Sequence, residues 1–338
     1  MKKYILTLLK AVIYILMPLV AIVISMTIGR YSVSLEDVLL SLAQALGFVE
    51  DAVTSQAYNV IIHLRIPRAI AAACVGAGLA TSGAAYQGVF KNPLVNSGLL
   101  GVSNGAAFGA ALSIMFFGST FSTNVSAFIF GIAAMGLSYW IARIYKTVPT
   151  IMLILGGIIV SAIFSSLLTM LKAVADTSNE LPAIVYWTMG SVASVQYNDF
   201  WALIPIILGV GAILLFAHEI NVISIGEKQA RTMGINVKRS KALIVTAATL
   251  STSGAVCLAG VVGWVGLVIP HIGRMIAGND NKKLIPLSMS IGAVFMVIID
   301  TVSRSVTSSE IPLSVLTSLI GAPFFIYLLK KTKGGGWA

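Results

Sequence analysis

Residues 92–142 form a run of 51 residues that contains no Asp, Glu, Lys, Arg or His. Water-soluble domains do not contain such runs, because about a quarter of their residues are charged. A helix that crosses the hydrocarbon core needs about 20 apolar residues, so this run is long enough for two crossings joined by the polar stretch 118–124. The flanking residues Lys91 and Arg143 are both basic, which predicts that both ends of the run lie on the cytoplasmic side.

The composition of the whole chain agrees with this interpretation. The chain has 338 residues, of which 57% are hydrophobic and 10% charged. This composition predicts a single transmembrane domain that spans residues 1–338, rather than two soluble domains. The net charge of +10 does not require nucleic acid as a partner, because the basic residues cluster between the predicted spans. We therefore predict an all-α, polytopic membrane protein that is surrounded by membrane lipid and binds no nucleic acid.

Apolar segments bounded by charges or turn residues predict about ten transmembrane helices. The predicted spans are 5–28, 67–88, 94–116, 124–142, 148–171, 200–217, two within 242–273, 284–300 and 311–329. The segment 242–273 is too short for two full crossings, which need about 40 residues. One of its two legs is therefore expected to be short or re-entrant, with breaks at Gly260, Gly263, Gly266 and Pro270, and such a backbone must be surrounded by protein or line a water-filled cavity.

The distribution of charge predicts the orientation. An even number of spans places both termini on the same side, and all but five of the 22 basic residues then lie on the cytoplasmic side. The five exceptions are Arg30, Arg65, Arg68, Lys172 and Arg304. All but three of the 12 acids lie at the other face, so the positive-inside rule supports cytoplasmic termini.

The second span is unusually rich in small residues, which predicts a central helix because small side chains let helix backbones approach closely. Part of it, LATSGA at 79–84, matches LSTSGA at 250–255, which lies 171 residues later. The two copies lie in spans of opposite predicted direction, as in the inverted repeats of transporters. The alternative is a chance match between two helices rich in Ala and Ser.

The predicted spans contain no ionisable residue near their centres. Proton-coupled transporters usually need one there, whereas a sodium site can be built from carbonyl groups, so the argument is weaker against sodium. The chain also has no GxxxxGK[ST] phosphate loop. If the protein moves a solute uphill, another subunit is expected to supply the energy.

Four segments together resemble a known family. They are RIPR at 65–68 followed by Gln87, KNPL at 91–94 and LGVSNG at 100–105; GEKQARTMGIN at 226–236; GVVGWVGLVIPHIGR at 260–274; and DTVSR at 300–304 with EIPLSVLTSLIGAPFFIYLL at 310–329. In this order they resemble the FecCD/BtuC-type permeases of ABC importers for iron siderophores, vitamin B12 or haem. Trp264, Asn96-Ser97 and Ser314 depart from the usual family residues, which is compatible with a permease that pairs with a diverged partner.

The resemblance implies a coupling helix within the cytoplasmic segment 219–241. It assigns ATPase coupling to Gly226, Glu227, Ala230 and Gly234. The residues support this independently, since a short polar segment punctuated by glycine is expected to form a compact helix with a glycine C-cap. The alternative is an ordinary solvated loop.

The resemblance also implies that Arg65, Arg68 and Arg304 receive the glutamates of a substrate-binding protein. Arginine has a planar fork suited to bidentate pairing with a carboxylate. The alternative is that these arginines are interfacial anchors or are paired within the chain, with Asp300 and Glu310 as available partners for Arg304.

A further group is predicted to break or pack helices near the pathway. Its members are Gln87, Asn92, Pro93, Gly263, Gly266, Pro270 and Pro323. His271, which follows Pro270, is interpreted as a packed residue rather than a metal ligand or proton relay, and no metal site is predicted.

The resemblance therefore implies the permease subunit of a type II ABC importer in a bacterial plasma or inner membrane. Its expected partners are a second permease (a related heterodimer partner in preference to an identical copy), two ATP-binding cassette subunits and an extracytoplasmic substrate-binding protein. This chain is expected to perform no catalysis and to bind no cofactor, since ATP and Mg²⁺ are held by the ATPase. The expected cargo is a ferric siderophore, with a ferric hydroxamate as the best candidate and cobalamin or haem as alternatives. The alternatives of another class are an ion-coupled secondary transporter and a non-transporting membrane anchor.

Overall fold

A computed structural model describes residues 2–50, 52–143 and 149–331. The described residues form α-helices without any β-strand. The helices are α1 (Lys2–Thr27), α2 (Leu35–Ala45), α3 (Ser55–Tyr58), α4 (Ile66–Phe90), α5 (Val102–Phe116), α6 (Thr120–Ala142), α7 (Thr150–Val174), α8 (Glu180–Met189), α9 (Leu203–Leu215), α10 (Ala217–Ile225), α11 (Glu227–Thr232), α12 (Val237–Ala259), α13 (Val265–Ala277), α14 (Asn281–Ser305) and α15 (Leu313–Lys331). A π-helical segment, Asn59–Arg65, leads into α4, and a 3-10 segment, Tyr197–Ala202, leads into α9.

The predicted spans coincide with helices of this structure. Within the described ranges, six helical segments are long and apolar enough to cross a membrane: Ser55–Phe90, Thr120–Ala142, Thr150–Val174, Tyr197–Leu215, Val237–Ala259 and Asn281–Ser305. Four shorter apolar helices match the remaining spans: Val12–Thr27, Val102–Phe116, Val265–Ala277 and Leu313–Leu328. The prediction of an all-α, polytopic membrane protein is therefore confirmed.

Two predicted segments differ in detail from the structure. The third span was expected to begin at residue 94, but α5 begins at Val102, because Lys91 ends α4 in a left-handed conformation (φ 51°) and the chain then forms turns. The segment 242–273 divides into a full-length α12 and a 13-residue α13, so the expectation of one short leg is confirmed. Gly260 and Gly263 lie in the break between the two helices, but the breaks expected at Gly266 and Pro270 are wrong, because both residues lie inside α13. Trp264, which precedes α13, also has a positive φ of 68°.

Helix α4 is the centre of the bundle, and small residues explain why. A Cβ at Gly76 would lie 2.0 Å from the carbonyl oxygen of Gly292 in α14, and one at Gly83 would lie 1.9 Å from that of Gly266 in α13. Only glycine permits such close approach of two backbones. The prediction that this helix is central is confirmed.

The helices that contain the two matching strings, α4 and α12, pack against each other. The hydroxyl of Ser82 donates to the carbonyl of Ala248 at 3.0 Å, and the hydroxyls of Tyr86 and Thr249 are 2.8 Å apart. These bonds satisfy polar groups that would be costly to leave unpaired in a membrane. The inverted repeat itself stays a prediction.

Helices α4 and α14 are antiparallel, and they define the two ends of the bundle. Gly76 meets Gly292 midway along both helices, while Gly88 lies beside Asn281. We call the end with the start of α4 and the end of α14 the arginine end, because it holds Arg65, Arg68 and Arg304. The opposite end, which holds α10 and α11, is called the α11 end.

Candidate functional site

The arginine end contains a buried network of charges built on Arg68. Its Nε lies 2.8 and 3.0 Å from the two carboxylate oxygens of Asp300 in α14. Its Nη1 and Nη2 donate to Glu310, in the loop between α14 and α15, at 2.7 and 2.8 Å. Pro67 in the first turn of α4 fixes the backbone beside Arg68. One guanidinium therefore joins α4, α14 and the α14–α15 loop.

The other two arginines bind mainly to backbone carbonyl groups. Arg65 donates to the carbonyl oxygens of Met26 and Tyr31, which holds the end of α1 and the following loop against α4. Arg304 donates to the carbonyl of Ser25 at 2.5 Å, and its Nε lies 3.8 Å from Asp300. These contacts tie α1 to α4 and α14.

The predicted docking arginines are thus brought together by the fold, but they are not exposed. Arg65, Arg68 and Arg304 are only 5%, 8% and 9% exposed. The alternative noted from the sequence, pairing within the chain, is present in part: Asp300 pairs with Arg304, whereas Glu310 pairs with Arg68. Their docking role stays a prediction. The guanidinium nitrogens of Arg68 already contact Asp300 and Glu310, so a docking carboxylate would have to displace one of these partners.

Glu310 is held as a carboxylate in this network. Burial raises the pKa of Glu310, but hydrogen bonds and charge from Arg68, with smaller contributions from Arg30 and Arg304, bring it below its ordinary value. Its side chain is 26% exposed, which makes it the most accessible member of the Arg68 ion pairs.

At the α11 end, the segment between α10 and α12 forms the compact helix that the sequence predicted. Gly234 follows α11 with φ of 82°, a conformation that favours glycine. Gly234 N–H donates to the Arg231 carbonyl and Ile235 N–H to the Ala230 carbonyl, both at 3.0 Å. This is a Schellman C-cap, so the expectation of a glycine-capped helix is confirmed.

The predicted coupling residues have different structural roles. Ala230 is fully buried and anchors α11 to the bundle. Gly226 has extended backbone (φ 167°), and Glu227 begins α11. The exposed residues of this element are Lys228, Gln229, Arg231, Thr232 and Met233, and Met233 is a 61% exposed apolar side chain. The coupling role of all these residues stays a prediction.

Lys241 connects α11 to two long helices. It lies in α12, donates to the carboxylate of Glu227 and donates to the hydroxyl of Thr150, at the start of α7, at 2.9 Å. The hydrogen bond from Lys241 lowers the pKa of Glu227, although burial acts in the opposite direction. A displacement of α11 would therefore act directly on the ends of α7 and α12.

A second connection joins α10 to α14. The side chain of Asn221 donates to Asp280 at 2.7 Å and accepts from the backbone N–H of Asn281 at 2.6 Å. The hydrogen bond from Asn221 lowers the pKa of Asp280, and partial burial opposes this shift. The α10–α11 unit is therefore fixed to α7, α12 and α14 by polar contacts.

Gln87 organises the group that was predicted to break or pack helices. It is 4% exposed, and its amide donates to the carbonyls of Val95 at 3.1 Å and Gly266 at 3.3 Å. Its carbonyl oxygen accepts a hydrogen bond from Arg274 at 2.8 Å. Gln87 thus joins the end of α4 to the 91–101 loop and to α13.

The remaining members of that group are scattered. Asn92 forms a local turn by accepting from the N–H of Leu94 at 2.9 Å, next to Pro93. Gly266 packs closely, because a Cβ there would lie 2.8 Å from the Ser97 hydroxyl, whereas nothing lies within 4 Å of a Cβ at Gly263. Pro270 is buried in α13, and Pro323 is exposed in α15. Their relation to a pathway stays a prediction.

Sequence reasoning missed three partners: Arg274 for Gln87, Lys241 for Glu227 and Glu310 for Arg68. Their separations of 187, 14 and 242 residues leave no periodic signal. One signal in the sequence could have indicated the partners of Arg68. Asp300 and Glu310 are rare acids in an apolar region, so each is expected to pair with a basic residue.

Comparisons with known proteins agree with this architecture. The model of the FecCD transport family matches residues 16–331. The molybdate import permease MolB of Haemophilus influenzae is 39% identical, with 95% of each chain covered. The cobalamin import permease BtuC of Halobacterium salinarum is 38% identical, over 82% of this chain and 75% of the relative. A solved structure of a metal-chelate type ABC transporter in an inward-facing conformation matches with a TM-score of 0.84 and 36% identity, covering 95% of this chain and 98% of the other.

Proposed function

The chain belongs to the FecCD transport family, and on this premise we propose that it is the membrane-spanning permease subunit of an ABC importer, driven by a separate ATPase. The observation that carries the proposal is the agreement of nearly the whole fold with a metal-chelate type ABC transporter, at a TM-score of 0.84. The chain is a transport permease with several membrane-spanning helices. The proposal adds the energy source, the partners, the orientation and the cargo.

The α11 end is the proposed contact with the ATPase. It exposes Met233 and the charged side chains of α11 while Ala230 and the Lys241–Glu227 pair fix the helix to the bundle. A helix that is firmly held and has an exposed face is suited to transmit a push from a partner. Two ATPase subunits, which bind ATP and Mg²⁺, and a second permease would complete the importer, and the α11 end would then face the cytoplasm, with cytoplasmic termini.

Copurification tests this assignment. The tagged chain, expressed with the other genes of its importer and solubilised in mild detergent, is expected to retain an ATP-binding cassette subunit, and vanadate is expected to abolish solute uptake by the reconstituted complex. Uptake that proceeds without any ATPase and follows an imposed proton or sodium gradient would instead establish the secondary-transporter alternative.

The arginine end is the proposed docking face for a substrate-binding protein. Glu310 already occupies the fork of Arg68 with two hydrogen bonds, at 2.7 and 2.8 Å. A carboxylate of the binding protein therefore has to displace Glu310 to reach Arg68. Docking by exchange is plausible in energetic terms, because one charge-assisted pair replaces another of the same kind.

Glu310→Gln tests the exchange. Removing the internal competitor's charge is expected to strengthen association with the importer's binding protein by about threefold to tenfold, in line with the ~1 kcal/mol of a partly exposed pair. The matched control is Glu50→Gln, an exposed acid at the same end, which changes the overall charge equally. Equal effects of the two variants would show that Glu310 acts only through the overall charge of this face. Weaker association in Glu310→Gln alone would show that Glu310 has a structural role and is not exchanged during docking.

The proposed cargo is a metal-containing compound. A ferric siderophore, with a ferric hydroxamate as the first candidate, follows from the sequence resemblance, and cobalamin and haem are alternatives. Molybdate is a further candidate cargo. The observation that favours it is the 39% identity of this chain to the molybdate permease MolB, over 95% of this chain. Competition among radiolabelled ferric hydroxamate, cobalamin, haem and molybdate, in cells that express the complete importer, separates these candidates.

A further inference from the structure

An apolar groove runs between α1 and α14 on the outside of the bundle. Its volume is about 630 Å³. Aliphatic side chains from both helices form its walls, including Leu16, Val20, Ile24, Val294, Ile298 and Val302. Leu16, Ile24 and Ile298 are each more than half exposed in the folded chain. In the hydrocarbon region such a surface is covered by lipid or by another apolar chain rather than by water.

The few hydroxyl groups among the residues that line the groove are already hydrogen-bonded. The hydroxyls of Ser25, Thr301 and Ser305 each donate to a carbonyl in their own helix, at 2.7, 2.7 and 2.6 Å respectively. The groove therefore offers no free hydroxyl donor to a polar solute. Its chemistry fits a flexible hydrocarbon chain.

The length of the groove fits one lipid tail. On α1 it extends from Ile13 to Ile28, which is about 22 Å at 1.5 Å per residue. One leaflet of the hydrocarbon core is about 15 Å thick, half of the usual ~30 Å. A single acyl chain can therefore lie along the groove from the membrane surface past the depth of one leaflet.

The mouth of the groove lies at the arginine end and carries an exposed cation. Ile28 and Val306 line its last turn, and Arg30 donates one hydrogen bond to the carbonyl of Thr307, at 2.9 Å. Arginine has five N–H donors, and this is the one hydrogen bond that Arg30 makes among the described residues. Its charge is partly opposed by Glu310.

The charged network beside this mouth contains more arginines than carboxylates. Arg30, Arg65, Arg68 and Arg304 meet only two carboxylates in the described network, those of Asp300 and Glu310. Glu310 and Asp300 are both occupied by Arg68. Arg30 is the exposed member of the four arginines, so its guanidinium is the cation of this network that an anion at the mouth can reach.

We propose that the groove between α1 and α14 is a binding site for an anionic phospholipid, with one acyl chain along the groove and the phosphate at Arg30. Charge complementarity at the mouth and the apolar lining below it define an amphipathic ligand of this class. The guanidinium donates to the phosphate as a charge-assisted fork, and the acyl chain covers the exposed aliphatic side chains. The bound lipid fills the gap between α1 and the core helix α14.

Native mass spectrometry of the purified permease complex, released from nanodiscs, tests this site. The probes are phosphatidylglycerol and phosphatidylcholine with identical acyl chains. Wild type is expected to retain one phosphatidylglycerol per chain in preference to phosphatidylcholine. Arg30→Gln is expected to reduce that occupancy about fivefold, equal to about 1 kcal/mol. Lys172→Gln, which removes a basic residue from the same end of the bundle, is the matched control and is expected to leave occupancy unchanged.

The acyl-chain part of the site needs its own variant. Val20→Phe adds bulk to a 47% exposed groove residue and is expected to lower retention of both lipids, whereas Val12→Phe, on a 50% exposed residue outside the groove, is not. Equal retention of both lipids, unchanged by Arg30→Gln, would overturn the proposal and leave ordinary lipid contact. Loss in Arg30→Gln but not in Val20→Phe would overturn the acyl-chain assignment, and a change in subunit number in Val20→Phe would make the groove an interface with another protein chain.

Discussion

The arginine end and the α11 end of the bundle both contain ion pairs between distant parts of the chain, but they use them differently. At the arginine end, Arg68 and Asp300 are almost fully buried, with side chains 10% and 2% exposed. At the α11 end, Glu227 is 42% exposed and Lys241 16%. A buried pair is costly to break because its remaining charge is left unpaired, whereas an exposed pair contributes about 0–1 kcal/mol.

This difference indicates a division of roles. The charges at the arginine end hold α4, α14 and the following loop in one arrangement. The polar contacts at the α11 end orient a small helix whose exposed face remains available to a partner. Loss of the buried charge of Arg68 at the first end should therefore affect folding, and changes on the exposed face of α11 at the second should affect transport in a folded protein.

The largest expected effect is that of Arg68→Gln. The change leaves Asp300 buried, with Arg304 at 3.8 Å as its nearest charged partner, and should cost about 3–5 kcal/mol. We expect a strongly reduced yield of folded protein and a lower melting temperature in detergent, measured by fluorescence-detected size exclusion and thermal unfolding. Combining it with Asp300→Asn and Glu310→Gln should recover only part of the loss, because the two former partners of Arg68 then carry no charge while Arg304 loses Asp300 as its ion-pair partner.

Lys172→Gln is the control for that experiment, since it removes one positive charge near the same end. It should leave the melting temperature unchanged. A wild-type melting temperature for Arg68→Gln would show that the buried network does not hold the helices together, and the contrast between the two ends would disappear.

Met233→Glu should have the next largest effect, on transport alone. The side chain is 61% exposed, so the folded chain should lose no more than about 0.5 kcal/mol. A carboxylate in an apolar contact with the ATPase should lower solute uptake by about tenfold or more, through desolvation of the charge. Uptake into proteoliposomes, normalised to permease content, measures this loss.

Asn279→Glu adds the same charge at the same end, in the turn before α14, and should transport normally. If Met233→Glu also transports normally at normal protein level, the exposed face of α11 makes no contact that matters for coupling.

Lys241→Met should have an intermediate effect. It removes the links from α12 to Glu227 and to Thr150 while keeping an apolar stem of similar length. ATP hydrolysis by the complex should continue, but uptake per ATP hydrolysed should fall by about twofold to fivefold, because α11 is less firmly connected to α7 and α12. An unchanged ratio of uptake to hydrolysis would show that this link does not transmit movement.

The smallest expected effect is a pH dependence at the α11 end. The pKa of Glu227 is lowered from its ordinary value of 4.5, first by the hydrogen bond from Lys241, against an opposing effect of burial. The stabilisation is therefore present above about pH 4.5 and lost as the pH falls through the lower, folded value. At about pH 7, hydrogen exchange of α11 should be slower in wild type than in Glu227→Gln, and the difference should shrink as the pH falls below 4.5. Equal exchange of the two proteins at about pH 7 would contradict the link.

Much of the fold could be predicted from the sequence, because the bilayer limits the possible structures. Charge-free runs of helical length locate the spans, and the glycines of 242–273 located the short helix α13. The start of α5 could not be predicted, because hydropathy does not distinguish the apolar residues of 94–101 from those of a helix. In the structure these residues form a loop that is held by the hydrogen bond from Gln87 to the carbonyl of Val95. The short helices α2 and α8, at the arginine end, were missed because they are not long enough to give a spanning signal.

The candidate sites divide in the same way. The sequence by itself determined that the protein is a polytopic helical membrane protein, that a glycine-capped helix lies between α10 and α12, and that arginines gather at one end, since these follow from local composition and spacing. Only the tertiary structure decided which charges meet. Arg68 takes both Asp300 and Glu310, and Lys241 takes Glu227, because helix packing in three dimensions brings together residues that no local periodicity relates. Burial then decides what each pair does: the Arg68 network stabilises the bundle, and the more exposed Lys241–Glu227 pair orients a surface helix.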